Sequence, residues 1–222
     1  MMDDQSGLDW REGGVPVSRR FDDPYYSLEN GLAETRHVFL AGNDLPGRFR
    51  DGFHVAELGF GTGLNLLAAL DAWRRAGVPG RLRFTTFEAF PLPPADMVRA
   101  HASFPELAAV AADLAPHWGR ERVELPDLDF TLVPGDARAT LPAWTGAADA
   151  WFLDGFSPAK NPELWDADLM AEVARHTVPG GTIATYSAAG HVRRSLAATG
   201  LVASRVPGYG RKRHMTVARK SP

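Results

Sequence analysis

Cysteine is missing from all 222 residues, which excludes disulfide staples, thiolate nucleophiles, iron–sulfur clusters and cysteine zinc sites. Any chemistry must use oxygen, nitrogen or a bound cofactor. The chain also lacks any uninterrupted apolar run near the roughly 20 residues that cross a bilayer. Its acidic, polar start, MMDDQSGLDWREGG, is unlike a secretory signal. A cytoplasmic protein without a membrane segment or a metal centre is expected. Repeats and low-complexity linkers are absent too. With 45% hydrophobic and 23% charged residues, the length suits one sizeable core, and two full domains would be cramped.

Acidic residues are absent in one place that matters. All 27 Asp and Glu lie at or before Glu172, whereas nine of the 24 Lys and Arg follow it: Arg175, Arg193, Arg194, Arg205, Arg211, Lys212, Arg213, Arg219 and Lys220. The net charge of -3 hides this asymmetry. Two readings stand: a solvated face on an arginine-rich protein, or a surface for a polyanion such as RNA, because phosphate contacts depend on local charge.

What is present is an alternation of strand-like and helix-like runs. The predicted strands are 54–60, 81–89, 129–136, 149–156 and 182–187, and the predicted helices 62–77, 97–118 with a break at Pro105, 162–178 and 191–200. Alternating strands and helices call for an α/β fold with a mostly parallel, doubly wound sheet covered on both faces. The end differs: LVASRVP and HMTVARK, joined by GYGRKR, read as an antiparallel C-terminal hairpin at the sheet edge. Residues 1–50 precede the alternation and read as an added segment, which packs on the sheet or covers the active site; 51–222 form the main unit.

AELGFGTGLN carries glycines at 59, 61 and 63, after Glu57 and with Thr62 and Asn65 in the same turn. A dinucleotide fingerprint, G-x-G-x-x-G, needs the third glycine one place later. Glycines after a first strand let the backbone approach a ligand, and the next helix points its N–H groups there, an arrangement that suits a carboxylate as well as a phosphate. Helix-on-sheet packing is the plainer explanation. Glu88 ends the second strand, where an acidic residue accepts hydrogen bonds from ribose hydroxyls or merely caps a turn. Asp136 ends the third, as an adenine partner or an ordinary turn residue after Gly135. Asp154 ends the fourth strand in WFLDGFSPAKNPELW, facing the crevice if that strand neighbours the first. Phe156 is placed either to stack on a planar ring or to pack its own loop.

Together WFLDGFSPAKNPELW, ELGFGTGLN, GLAETRHVFLAGN, RFDDPYYS and GYGRKRHM resemble the methyltransferase half of the bifunctional tRNA 5-methylaminomethyl-2-thiouridine biosynthesis family, from about Leu8 to Arg219. The resemblance implies a Rossmann-like class I fold dependent on S-adenosyl-L-methionine. It implies methyl transfer to the aminomethyl nitrogen of the wobble uridine in certain tRNAs. By matching motifs, Glu57, Gly59, Gly61, Thr62, Gly63 and Asn65 would line the cofactor, Glu88 its ribose, Asp136 its adenine, and Asp154 would hold the amine. The flavin-dependent oxidase half is expected to be absent, so a separate enzyme would supply the aminomethyluridine. Where the family pattern reads FEKFP, this chain reads FEAFP, so the lysine's part is not played by Ala89.

On this reading Arg193, Arg194, Arg211, Lys212 and Arg213 meet tRNA phosphates, while Lys160 and Asn161 lie nearer the anticodon stem-loop; a solvated Lys160 is the plainer alternative. RFDDPYYSLENG either covers the crevice as a lid or packs against the sheet edge. A small-molecule amine methyltransferase would share the glycine turn and Asp154, with no need for the acid-free tail. A non-catalytic binding module and a nicotinamide oxidoreductase fit less well, the first because Asp154 is intact and the second because of the glycine spacing.

Overall fold

The computed structural model describes residues 7–27 and 30–222. The chain opens with a small antiparallel sheet of β1 (Leu8–Arg11), β2 (Val15–Ser18) and β3 (Asp23–Pro24). Helix α1 (Gly31–Thr35) follows, capped by the Asn30 side chain on the Ala33 N–H, and continues as a wide helical turn through Arg36–Leu40. The central sheet then begins with β4 (His54–Leu58), α2 (Leu64–Ala76), β5 (Leu82–Glu88), α3 (Pro94–His101) and α4 (Ala108–Leu114). Next come β6 (Arg122–Leu125), β7 (Leu128–Pro134), α5 (Ala137–Ala143), β8 (Ala148–Leu153), α6 (Ala167–Arg175), β9 (Thr177–Thr185), α7 (Gly190–Ala198), β10 (Val202–Pro207) and β11 (His214–Arg219).

The eight strands of this sheet lie in the order β10-β11-β9-β8-β4-β5-β7-β6. β4 and β8 are buried along their whole length, as expected of parallel strands covered on both faces. Alternate residues divide between two cores. Val55, Ala150 and Phe152 join α2, α4, Leu32 and Phe39 on one face. Ala56, Leu58, Trp151 and Leu153 join Leu141, Leu169 and Val192 on the other, a direct expression of the two-residue strand period. From β4 the chain builds outward through β5 and β7, then returns to lay β8 on the other side of β4. That reversal is a topological switch point, and a crevice opens at the carboxyl ends of β4 and β8.

Four differences from the sequence expectation stand out. Helix α6 starts at Ala167 rather than 162 because Asp166 caps it on the Leu169 N–H at 2.7 Å, leaving Pro162–Trp165 as a 3-10 turn. A helix stands at Ala137–Ala143, where none was expected, started by Asp136 on the Arg138 N–H. The four-residue strand β6 adds an antiparallel edge beside β7, too short and too charged to read as a strand. Strand β9 begins five residues early, at Thr177. The C-terminal hairpin is as expected, with Thr216 of β11 opposite Thr185 of β9, so its loop lies at the carboxyl edge of the sheet.

Candidate active site

At that edge lies a cleft of about 1150 Å³. Its wall includes Gly59, Gly61 and Thr62 of the glycine turn, Asn65 of α2, Glu88 after β5 and Asp154 after β8. The strand tips are tied together. The Gly59 N–H donates to the Phe87 carbonyl at 2.9 Å, and the Asp154 N–H to the Leu58 carbonyl at 3.0 Å. Gly59 has φ +83°, and a Cβ there would stand 2.8 Å from the Asp154 carbonyl oxygen. Only glycine lets these two loops approach so closely.

Both carboxylate oxygens of Asp154 are anchored. Its Oδ1 accepts from the Gly155 N–H at 2.8 Å and its Oδ2 from Asn65 Nδ2 at 2.8 Å. The second hydrogen of the same amide goes to Glu57 Oε1 at 2.9 Å, while Asn65 Oδ1 accepts from the Thr35 hydroxyl at 3.0 Å. Both amide hydrogens of Asn65 are therefore used, and its orientation is fixed. Glu57 completes the chain through Thr86 Oγ1 at 2.7 Å. Burial raises the Asp154 pKa to about 6, against the opposing pull of those two hydrogen bonds. Burial pushes Glu57 well above the ordinary carboxylate range, with the Asn65 and Thr86 bonds opposing it.

The candidate cofactor residues fall into two groups. Gly61, Thr62 and Glu88 face the cleft, with Glu88 accepting from the Gly61 N–H at 3.1 Å and the Phe90 N–H at 2.8 Å. A carboxylate has about four acceptor positions, so Glu88 keeps capacity for ligand hydroxyls. Asp136 also lies on the wall, but caps α5 and pairs with Arg138 at 2.6 Å, which holds its pKa below the usual value. Glu57 and Gly63 do not reach the wall. Glu57 is fully enclosed beneath it. Gly63, at φ +78°, gives α2 its entry, where a Cβ would stand 3.0 Å from Phe60.

The long motif after Asp154 is a loop folded back on itself. Trp165 is 2% exposed, and its indole N–H donates to the Phe156 carbonyl at 2.9 Å. The N-terminal segment crosses this loop. Phe156 stacks on Phe21 at 4.6 Å and meets Tyr25 edge-on at 5.0 Å, so its stacking partner here is the protein's own ring. Asp23 accepts from the Ser157 N–H at 3.0 Å. Lys160 is exposed and pairs with Asp22 at 3.0 Å, and Asn161 lies on the cleft wall. Leu28 and Glu29 of the proposed lid lie outside the described residues.

Several of the late cations have internal partners, among them Arg175 with Glu172, Arg219 with Asp44 at 2.6 Å, Lys220 with the Ala174 and Thr177 carbonyls, and Lys212 with Glu34 at 2.7 Å. The basic surface is narrower than composition suggests. Arg211 and Lys212 line the cleft, whereas Arg193, Arg194 and Arg213 lie outside its wall. Reading the sequence missed Glu34 and Tyr186. Tyr186 follows the carboxyl end of β9 by one residue, the position that drew attention to Glu88 and Asp154. Glu34 sits in GLAETRHVFLAGN with no local signal of a role.

A profile of the S-adenosyl-L-methionine-dependent methyltransferase family matches residues 105–221, more than half of the chain. The chain belongs to this family. It is 48% identical, over 94% of its length, to the tRNA 5-methylaminomethyl-2-thiouridine biosynthesis bifunctional protein MnmC of Caulobacter sp. strain K31. The same figures hold for the protein of that name from Pseudomonas aeruginosa strain PAO1. The chain spans only 37% and 34% of those relatives. Among solved structures it is similar to MnmC2 from Aquifex aeolicus, with a TM-score of 0.79 at 25% identity, covering 99% of this chain and 72% of that one. The glycine turn, the free acceptor capacity of Glu88 and the size of the cleft fit the methionine and ribose ends of the family's cofactor. Among the described residues, no helix of this methyltransferase is long and apolar enough to cross a membrane.

Proposed function

We propose that this methyltransferase acts on tRNA, adding one methyl group to the aminomethyl nitrogen of 5-aminomethyluridine or its 2-thio form at the wobble position. The observation that carries this reading is the Asp154 carboxylate, held in the cleft by Asn65 and the Gly155 N–H with a pKa of about 6. The names of the relatives point the same way. The nucleotide, its tRNA and any enzyme that supplies the aminomethyl group belong to this proposal. So does the assignment of residues 1–50 as a cover for the cleft.

S-adenosyl-L-methionine supplies an electrophilic methyl carbon when bound, with Gly59, Gly61, Thr62 and Glu88 as the residues to hold it. The rest falls to the protein. A primary alkyl amine has a pKa near 10, so at pH 7 about one molecule in a thousand carries a free lone pair. An ordinary carboxylate near 4 would be some six units too weak to take the proton, roughly 8 kcal/mol. At about 6, Asp154 narrows this gap to about four units, roughly 5 kcal/mol, which is still too much for outright deprotonation. Its role is instead to accept a hydrogen bond from the amine and orient the lone pair. Its negative charge also stabilises the positive charge that grows on nitrogen during transfer. The surplus proton leaves to water at the cleft mouth.

Nucleoside mass spectrometry of tRNA incubated with the protein and labelled cofactor tests the reading. A gain of one methyl on the aminomethyluridine, absent from tRNA that lacks the aminomethyl group, is expected. Labelling of free alkyl amines without labelling of tRNA would replace it with a small-molecule activity.

A further inference from the structure

Lys212 extends from the hairpin loop into the cleft, where its ammonium lies 2.7 Å from Glu34 Oε1 and 4.2 Å from the Tyr186 ring centroid. Glu34 is nearly buried, so its charge needs a cation close by. Tyr186 is fixed beside it, its hydroxyl donating to the Gly155 carbonyl at 2.7 Å and its ring edge-on to Trp165. A carboxylate and an aromatic face around one ammonium make a cation box. The cation inside belongs to a side chain that is 47% exposed on a loop.

This box adjoins the reactive carboxylate from two sides. Thr35, next to Glu34 on α1, donates to Asn65, and Asn65 donates to Asp154. Tyr186 is anchored on Gly155, the residue after Asp154. Glu34 and Lys212 both bear electrostatically on Asp154, with opposite signs.

We propose that Glu34 and Tyr186 form the subsite that captures the substrate's ammonium, and that Lys212 holds this subsite until an RNA backbone draws it away. The inference rests on the amine-bearing RNA substrate proposed above. A lysine side chain ends in a primary ammonium on a methylene, the same group that an aminomethyl substituent presents at neutral pH. Once displaced, Lys212 carries a compact charge suited to a phosphate. Displacement thus couples RNA binding to opening of the subsite. Substrate enters as the cation, its abundant form, and then meets Asp154.

Two binding measurements test this without turnover. An anticodon stem-loop with 5-aminomethyluridine should bind the wild type more tightly than the same RNA with plain uridine, and Glu34→Gln should reduce that preference at least tenfold. Separately, Lys212→Met empties the subsite. Ethylammonium chloride at ten times its dissociation constant should raise the melting temperature of Lys212→Met by about 3–6 °C against potassium chloride at equal ionic strength. It should leave the Lys212→Met, Glu34→Gln double variant unmoved. Preference retained in Glu34→Gln, or no ethylammonium shift in Lys212→Met, overturns the subsite. If neither RNA binds the wild type while ethylammonium still stabilises Lys212→Met, the subsite stands and the RNA reading fails.

Discussion

Asn65 Nδ2 donates to Asp154 Oδ2 at 2.8 Å, linking the first turn of α2 to the tip of β8. The same amide holds Glu57, so the carboxylate that lines the cleft and the one sealed below it share a single side chain. Asn65 fixes the direction of the Asp154 carboxylate, and burial sets its proton affinity.

Replacing Asp154 with Asn keeps the shape and removes the charge. Turnover on the amine substrate is expected to fall at least tenfold, with cofactor affinity measured by calorimetry barely changed. Normal turnover would show that the charge has no part in the reaction.

Activity should depend on pH through Asp154. Its folded pKa of about 6 lies above the ordinary carboxylate value, so the productive anion is lost as pH falls through about 6 and recovered above it. A plot of log kcat against pH should therefore gain a further unit of slope below about pH 6, added to the rise from deprotonation of the amine itself. That further slope should vanish in whatever activity Asp154→Asn retains.

Burial pushes the Glu57 carboxyl well above the ordinary carboxylate range, while its Oε1 accepts from Asn65 and its Oε2 accepts from the Thr86 hydroxyl. Glutamine keeps the acceptor for Asn65 and can donate from Nε2 to the Thr86 hydroxyl oxygen, which rotates to accept. Glu57→Gln should cost under about 1 kcal/mol in urea unfolding, whereas Glu57→Ala leaves Asn65 and Thr86 unpaired and should cost about 2–4 kcal/mol. A glutamine as damaging as alanine would mean that Asn65 and Thr86 require two acceptor oxygens at this position.

Gly59 tolerates no side chain. A Cβ there meets the Asp154 carbonyl at 2.8 Å and Gly155 Cα at 2.9 Å, in a backbone conformation that already disfavours L-residues. Gly59→Ala should destabilise the fold by about 1–3 kcal/mol and lower kcat, because it pushes the β4 and β8 loops apart. Thermal unfolding and steady-state assays would register both.

The hairpin loop is where tRNA phosphates should act. Neutralising Arg211 and Arg213 together should weaken stem-loop binding irrespective of sequence. It should also reduce the slope of log affinity against log salt by about 1.4–1.8. An unchanged slope would remove these two arginines from the RNA surface.

Much of the fold was legible because strands and helices write their periods locally. HVAELGF and DAWFLDGF read as buried parallel strands from their unbroken apolar runs, and the glycines at 59, 61 and 63 marked the turn between strand and helix. Helix α5 was not legible, because ARATLPA carries a proline and little periodicity; its start depends on Asp136 capping it. Strand β6 owes its place to pairing with β7.

The sequence by itself determined that Asp154 ends a strand and that Gly59 begins a turn, since both follow from neighbours along the chain. Only the tertiary structure decided what surrounds them. Glu57 is sealed from the cleft, Phe156 is covered by Phe21, and Lys212 meets Glu34 across 178 positions. Such pairs depend on strand order and on how the N-terminal segment and the hairpin close over one edge of the sheet. No local period encodes that closure, because its free energy comes from burying surfaces that adjoin only after the sheet has formed.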